Sequence, residues 1–391
     1  MVQPKTHVYL DYAATTPLDH RVRAAMEPYF SDLFGNPSSL HFAGQKAEAA
    51  VERSRQTVAG ILGCLPEEII FTSGGTESDN LALRGAALAA ARQRGADRIL
   101  ISPVEHHAIL RTAEDLDEHF GFRLEKLPVD SFGRVDPDDV RKRLTPSTAV
   151  VSVIYGNNEI GTINRVAEIG RVCRDQGIPF HADAVQAAAH LPLAVDQLEL
   201  DLMSLGGHKL YGPKGIGVLY RRAGVPLHAV STGGSQEGGL RAGTHSVPLI
   251  VGFAEAFRLA QEDAARGKDG TTLRDLLLAD IPESAPEILV TGHPRERLPN
   301  HASFVVRKLD GNQLVAALDR AGFATSTGSA CKTGDPEPSD VITALGLARD
   351  WSLGSLRVTL GRPTQREDVE SFVEAFPRTV EAVRALGPTA R

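Results

Sequence analysis

Short apolar runs recur along the chain, each followed by a stretch whose apolar residues return every three to four positions. "EIIFTS" (68–73), "RILIS" (98–102) and "AVVSVIY" (149–155) precede helical patterns at about Thr76–Arg94, His107–His119 and Arg165–Gly177. "IPFHAD" (178–183), "DLMSL" (201–205) and "GIGVLY" (215–220) come next. Buried strands separated by helices predict an α/β fold with a mostly parallel sheet covered by helices on both faces. That pattern spans residues 17–260 and defines an expected large domain. After a long helical stretch from about 248 to 280 the pattern changes to strand-like "HASFVVRKL" (301–309), a helix near Asn312–Ala321, "SLRVTL" (355–360) and a last helix near Glu367–Leu386. A smaller α+β domain is expected there, formed by residues 1–16 together with 261–391. No internal repeat or low-complexity tract interrupts the series.

With 391 residues, 42% of them hydrophobic, the chain is long enough for two or three domains. Its 42 basic and 49 acidic residues give a net charge of −7 without a long block of like charge, which argues against a nucleic-acid or lipid-headgroup partner. "MVQPKTHVYLDYAATTP" has no apolar core behind basic residues, and no stretch of about 18 apolar residues occurs, so a cytoplasmic protein with no membrane association is expected. Cys64, Cys173 and Cys331 are widely spaced and odd in number, which disfavours a disulfide framework and CxxC zinc sites.

In parallel sheets ligands sit beyond the carboxyl ends of the strands. The residues that follow the apolar runs are polar and diverse. "EIIFTS" leads into Gly74-Gly75-Thr76, a glycine turn opening a helix, where free N–H groups and the helix dipole suit a phosphate, although Thr76 could equally be an ordinary cap. Glu105-His106-His107 follow "RILISP", Asn157-Asn158 follow "VIYG", and Asp183 with Gln186 closes "IPFHAD". "SLGGHKLYG" delivers His208 and Lys209. Any one of these has a structural explanation. The set has a cofactor in common: pyridoxal phosphate (PLP) needs a phosphate cup, a lysine amine for its aldehyde, and a carboxylate opposite its ring nitrogen. Lys209 and Asp183 suit the last two roles, while Gly206 and Gly207 let the backbone pass close to the cofactor. A metal site at His106, His107 and His181 lacks ligand spacing. "GPKGIG" runs into strand-like "VLY" instead of opening a helix, which removes a nucleotide-binding reading.

"YLDYAATTP", "GNPSSLH", "FTSGGTESDN", "EHHAIL", "NNEIGT", "HADAVQ", "GGHKLYGPKGIG", "LRAGT", "STGSAC" and "SLRVTLGR", in this order from Val8 to Arg362, resemble the motifs of cysteine desulfurases of the NifS/IscS type. These are class V aminotransferase-like PLP enzymes of fold type I. The resemblance implies a homodimer that takes sulfur from L-cysteine, leaves L-alanine, and holds the sulfur as a persulfide for an acceptor or scaffold protein in iron–sulfur assembly or thiolation. It further implies that Lys209 is the Schiff-base lysine, Asp183 the ring-nitrogen partner, Gln186 the donor to the ring hydroxyl, and His106 the stacking and proton-moving residue. Gly75, Thr76 and His208 would hold the phosphate, joined by Thr244 from the partner subunit. Asn158 and Arg357 would grip the substrate carboxylate, for which a guanidinium fork is a natural receptor.

Cys331 lies in the polar stretch "TSTGSACKTGDPEPSD" beside Lys332, a setting that favours a thiolate, whereas Cys64 and Cys173 sit in apolar surroundings and read as core filler. The resemblance makes Cys331 the sulfur acceptor. Gly206 stands where many relatives have serine, which predicts one phosphate donor fewer. Two alternatives stay open: a selenocysteine lyase or class V transaminase, and a cofactor-poor binding subunit.

Overall fold

The computed structural model describes residues 7–267, 270–328 and 338–385. Its main sheet has seven strands in the spatial order Ile69–Thr72, Gly217–Arg221, Leu202–Gly206, Phe180–Asp183, Thr148–Ser152, Arg98–Ile101 and Arg123–Lys126. Gly217–Arg221 is antiparallel to both neighbours, and every other neighbouring pair is parallel. The expected mostly parallel α/β layout is therefore what the chain adopts. Ile69–Thr72, Thr148–Ser152 and Phe180–Asp183 are buried at every position, as strands covered on both faces must be. On one face lies the helix Gly75–Arg94, whose Leu81, Ala82, Ala86 and Ala90 pack with Ile99 and Val150. On the other, the helices Phe42–Leu62 and Val247–Ala265 pack against each other and enclose Phe71, Phe180 and Tyr220.

A second core forms around the antiparallel strands Ile288–Val290, His301–Val306 and Ser355–Thr359. Phe304, Leu356 and Val358 meet Phe372 and Phe376 of the helix Arg366–Ala385. The helices Thr271–Ser284 and Gly311–Ala321 complete it. The long helical stretch expected over 248–280 is two helices, because Val247–Ala265 ends before Gly267 and Gly270, both at positive φ, and Thr271 begins the next. Leu10, fully buried, joins this second core, and Val8–Tyr9 pairs in parallel with Phe323–Ala324. The segment from Val8 onward is thus a strap that leaves this core and runs toward the main sheet.

Because all main-sheet strands except Gly217–Arg221 run one way, their carboxyl ends open on a single edge. Gly217 is opposite Thr72 in register, and a Cβ built on it falls 2.5 Å from the carbonyl carbon of Gly74. A glycine is required there so that the Gly74 turn can seat against the sheet. Gly217→Ala should therefore cost about 1–3 kcal/mol, the usual penalty for overpacking. Denaturant unfolding measures it, and an unchanged midpoint would show that the turn yields freely.

Candidate active site

A cavity of about 330 Å³ opens at the carboxyl edge of the main sheet. Gly75, Thr76, His106, Asn158, Asp183, Gln186, His208, Lys209 and Arg357 all line it. Residues as far apart in sequence as Gly75 and Arg357 are thereby brought together. Two expected residues stand apart. Thr244 is exposed and does not line the cavity of its own chain; its loop is held beside the helix Gly75–Arg94 by Arg241 Nε, 3.1 Å from Glu77 Oε1. Cys331 lies outside the described residues, but Gly328 and Asp340, on either side of it in sequence, both line the cavity.

Lys209 follows the strand Leu202–Gly206 in a single 3₁₀ turn. Its Nζ donates to the carbonyls of Ala13 and Ala14 at 2.6 and 2.7 Å. Burial pushes the amine down to about 8, assisted by the positive Arg357 and opposed by Asp11 and Asp183. An amine in that range exchanges its proton near neutral pH, as an acid–base group must. Gln186 Nε2 donates to the Ala13 carbonyl as well, at 2.8 Å.

His106 caps the helix His107–Phe120, its Nδ1 accepting from the Ala108 amide at 3.1 Å. That bond places the ring proton on Nε2. Burial, then Lys209 and His107, lower its value to about 4, so the imidazole is neutral at pH 7. His208 is likewise lowered to about 4 by burial and by Lys209 and Lys214. Its Nδ1 lies 3.2 Å from the Thr15 hydroxyl; with that hydroxyl donating, Nε2–H is left to donate elsewhere.

Under the cavity floor the polar side chains form a ladder. His181 is fully buried between Ser152 Oγ and Ser204 Oγ, each at 2.9 Å. Asp79, from the helix Gly75–Arg94, lies 3.7 Å from His181 Nε2 and keeps one buried oxygen without a partner. Glu105 accepts from the Ile154 amide at 2.8 Å, while its second oxygen is also unpartnered. Asp183 accepts from the Val185 amide at 2.9 Å. Burial raises the acid values of all three carboxyls above the ordinary range. Oxygens of Asp79 and Asp183 and a ring nitrogen of His106 lie within 4.8 Å of one another.

Residues 8–372 match the family model for class-V aminotransferases. The chain belongs to that family. Within it, the chain is a member of the cysteine desulfurases of the NifS/IscS type. It is 42% identical over 385 residues to "Cysteine desulfurase IscS" of Dictyoglomus turgidum, covering 98% of this chain and 97% of that protein. The protein of the same description from Methanosarcina thermophila is 42% identical over 382 residues, covering 97% and 94%. Among solved structures, a NifS-like protein superposes with a TM-score of 0.88 at 33% identity, over 96% of this chain and 100% of the other. A structure described as SspA in complex with cysteine gives 0.78 at 33% identity, over 90% and 98%.

Family members use pyridoxal phosphate, and the residues of this cavity fit it. The helix Gly75–Arg94 begins at Gly74 with no side chain capping its first N–H groups, the arrangement that receives a phosphate. Thr76 is inside this helix and is not its cap. A Cβ on Gly75 would fall 2.8 Å from Val185 Cγ2, so the cradle admits only glycine without rearrangement. The buried Asp183 carboxyl has no ion-pair partner among the described residues, a place that a pyridinium would fill, while Asp79 beside it has its acid form favoured by burial.

Sequence reasoning missed several contributors. Ala13 and Ala14 act through backbone carbonyls, which leave no residue-type signal. Asp11, Asp79 and Glu159 all belong to the quoted motifs "YLDYAATTP", "FTSGGTESDN" and "NNEIGT", where position within a motif was the available hint.

Gly206 has φ −134° and ψ 126°, an extended conformation open to any residue. A Cβ there would meet Val185 Cγ1 at 3.3 Å and the Gly75 nitrogen at 3.7 Å. Serine fits if Val185 gives slightly, so Gly206→Ser should tighten PLP binding by about tenfold, near the lower value of a hydrogen bond to a charged group. Equal PLP dissociation constants for the two proteins would mean the cup is already complete.

Asp183 supplies a pH-dependent expectation for the cofactor-free protein. Its folded value lies above the unfolded one, so the folded chain binds more protons and stability falls as pH rises through the acid range. Asp183→Asn should therefore stabilise cofactor-free protein at pH 7–8 by roughly 1–3 kcal/mol. The gain should shrink as pH falls through the folded value of about 6 toward the ordinary aspartate range. Thermal midpoints of both proteins across pH 4–8 check the sign, and with PLP bound the order should reverse.

Proposed function

We propose that this chain is a PLP-dependent cysteine desulfurase that removes sulfur from L-cysteine, releases L-alanine, and passes the sulfur to a protein acceptor through a persulfide on Cys331. The observation that carries the reading is the convergence of Lys209, Asp183, Gln186, His106 and Arg357 on one cavity in a chain whose relatives are named cysteine desulfurases. Bound PLP supplies an aldehyde for an amine and an electron sink for negative charge at the substrate Cα.

The chain's own residues do the rest. With PLP bound, Asp183 would serve the ring nitrogen, Gln186 the ring hydroxyl, and Gly75, Thr76 and His208 the phosphate. Arg357 and Asn158 receive the substrate carboxylate; Asn158 Oδ1 is buried without a partner and its backbone carbonyl accepts from Arg357 Nη1 at 2.9 Å. Lys209, poised near 8, takes the proton from Cα, with neutral His106 Nε2 beside it. The Cys331 thiolate attacks the substrate sulfur: an S–S bond forms, the Cβ–S bond breaks, and its electron pair stays with the alanine skeleton, which is then protonated. Neither other cysteine suits this step, since Cys173 is fully buried and burial pushes the thiol of Cys64 up to about 12.

The reading extends to a large PLP-binding unit over 17–260 and a smaller one from 1–16 and 261–391, supported by the largest core clusters on either side, between which Val104, Ile154 and Ile160 pack with Val305, Val341 and Ile342. It also includes a cytoplasmic homodimer in which exposed Thr244 reaches the partner's phosphate, and a role in iron–sulfur assembly. No helix among the described residues is long and apolar enough to cross a membrane.

Incubation with L-cysteine and a reductant should yield alanine and sulfide in equal amounts. Cys331→Ala should still bind PLP yet form no protein persulfide and little alanine. Mass spectrometry that finds persulfide on Cys64 or Cys173 in that variant, with alanine production kept, would overturn the assignment.

A further inference from the structure

Arg357 does not wait in the cavity as a free cation. It stands on the strand Ser355–Thr359, opposite Ser303, with its side chain only 5% exposed. Nη1 donates to the Asn158 carbonyl at 2.9 Å, and Nη2 donates to Asp11 Oδ1 at 2.7 Å. Nε is buried, lies on a residue that lines the cavity, and has no partner. One carboxylate of the chain therefore already occupies one part of the guanidinium, and the Nε side is the part left for a ligand.

The surrounding charges make Asp11 the anion that matters to this arginine. Glu159 also faces Arg357, but it is buried, its acid form is favoured by that burial, and its carboxyl is engaged by the Ser339 hydroxyl. His301, a further titratable neighbour besides Tyr9 and Lys209, donates from Nε2 to the Asn158 carbonyl at 3.0 Å, and burial and Arg357 hold it neutral. Lys209 is the second cation that Asp11 faces. The strap fixes Asp11 itself: the Thr359 amide donates to the Leu10 carbonyl at 2.8 Å, and the Ala13 amide donates to Thr359 Oγ1 at 2.9 Å.

We propose that Asp11 is a positioning and affinity-limiting residue, a built-in counter-anion that aims the Arg357 fork and weakens its hold on the amino-acid carboxylate so that alanine leaves. The proposal rests on the reading of Arg357 as carboxylate receptor. Its physical content is competition: an incoming carboxylate shares the guanidinium with an anion already within hydrogen-bond distance, and two like charges on one cation repel. Substrate and product carry the same carboxylate, so an arginine without this counter-anion would hold both more tightly without hastening the chemical step.

Asp11→Asn keeps the Oδ1 acceptor and the shape but removes the charge; Asp11→Ala removes both; Asp11→Glu keeps the charge. Calorimetric titration of each PLP-loaded protein with L-alanine, and with L-alaninamide as a ligand lacking the carboxylate, separates the effects. Asp11→Asn should bind L-alanine about tenfold tighter than wild type. Asp11→Ala should gain less than Asp11→Asn or lose affinity, since its fork is no longer aimed. Asp11→Glu should show no tightening, and no variant should bind alaninamide tighter. Thermal midpoints of the cofactor-free variants register any folding defect independently of the ligand. Alanine affinity that depends on Arg357 but is equal or weaker in Asp11→Asn overturns the Asp11 proposal alone. Alanine affinity unchanged in Arg357→Ala overturns the receptor reading and this proposal together.

Discussion

The strap from Val8 to Thr16 is the constraint on which the site depends. It begins as a strand beside Phe323–Ala324, buries Leu10 in the smaller core, and places Asp11 on Arg357. Within three residues it has crossed to the main sheet, where the Ala13 and Ala14 carbonyls hold Lys209. Thr15 and Thr16 then bond the side chain and the carbonyl of His208, and the Thr16 hydroxyl accepts from the Tyr211 amide at 2.8 Å. The arginine of one core and the lysine of the other are thus set relative to each other by hydrogen bonds from one extended segment, together with the bonds that Arg357 and His301 make directly to the Asn158 carbonyl.

Electrostatics around the cavity point the same way. Three carboxyls, two of them with an unsatisfied oxygen, are buried beneath a floor that also carries a neutral histidine bracketed by two serines. In a chain without ligand such groups oppose folding, because desolvation is not offset by partners. Their retention makes sense when a cation completes them. The strand ends therefore act as an unfinished ion-binding surface, held open by hydrophobic packing elsewhere in the sheet, and the stability cost is concentrated where the chemistry is.

Much of this was legible in the sequence, for a physical reason. Strands buried on both faces are continuous apolar runs, and the first polar residues after them fall at the carboxyl edge where ligands bind, so Asp183, Lys209, His106 and Asn158 could be found by reading each run to its end. Elements without such contrast were not seen. Arg123–Lys126 is a half-exposed edge strand of mixed charge, and Phe42–Leu62 is rich in alanine and polar residues, so neither stands out by periodicity. The break at Gly267 and Gly270 carried a glycine signal within an otherwise helical run. Arg357 was found only through its motif, since nothing local distinguishes a strand arginine that is buried from one that is exposed. Asp11 was missed because its role is defined by a residue at the other end of the chain.

That separation has a consequence for how the protein assembles. The Asp11–Arg357 ion pair and the Ala13–Thr359 hydrogen bond each close a loop of 346 residues. Contacts of such long range cannot nucleate folding; they form after local packing has brought their ends near, and the entropy of closing the loop is then already spent. Both hydrophobic cores are built mainly from segments that do not include the strap, so each has most of its packing before the strap docks. Docking of the strap therefore comes late in assembly. A proteolytic nick within Val8–Thr16 would take from Lys209 and Arg357 the carbonyls and the carboxylate that this segment supplies, while the segments that build most of both cores stay intact.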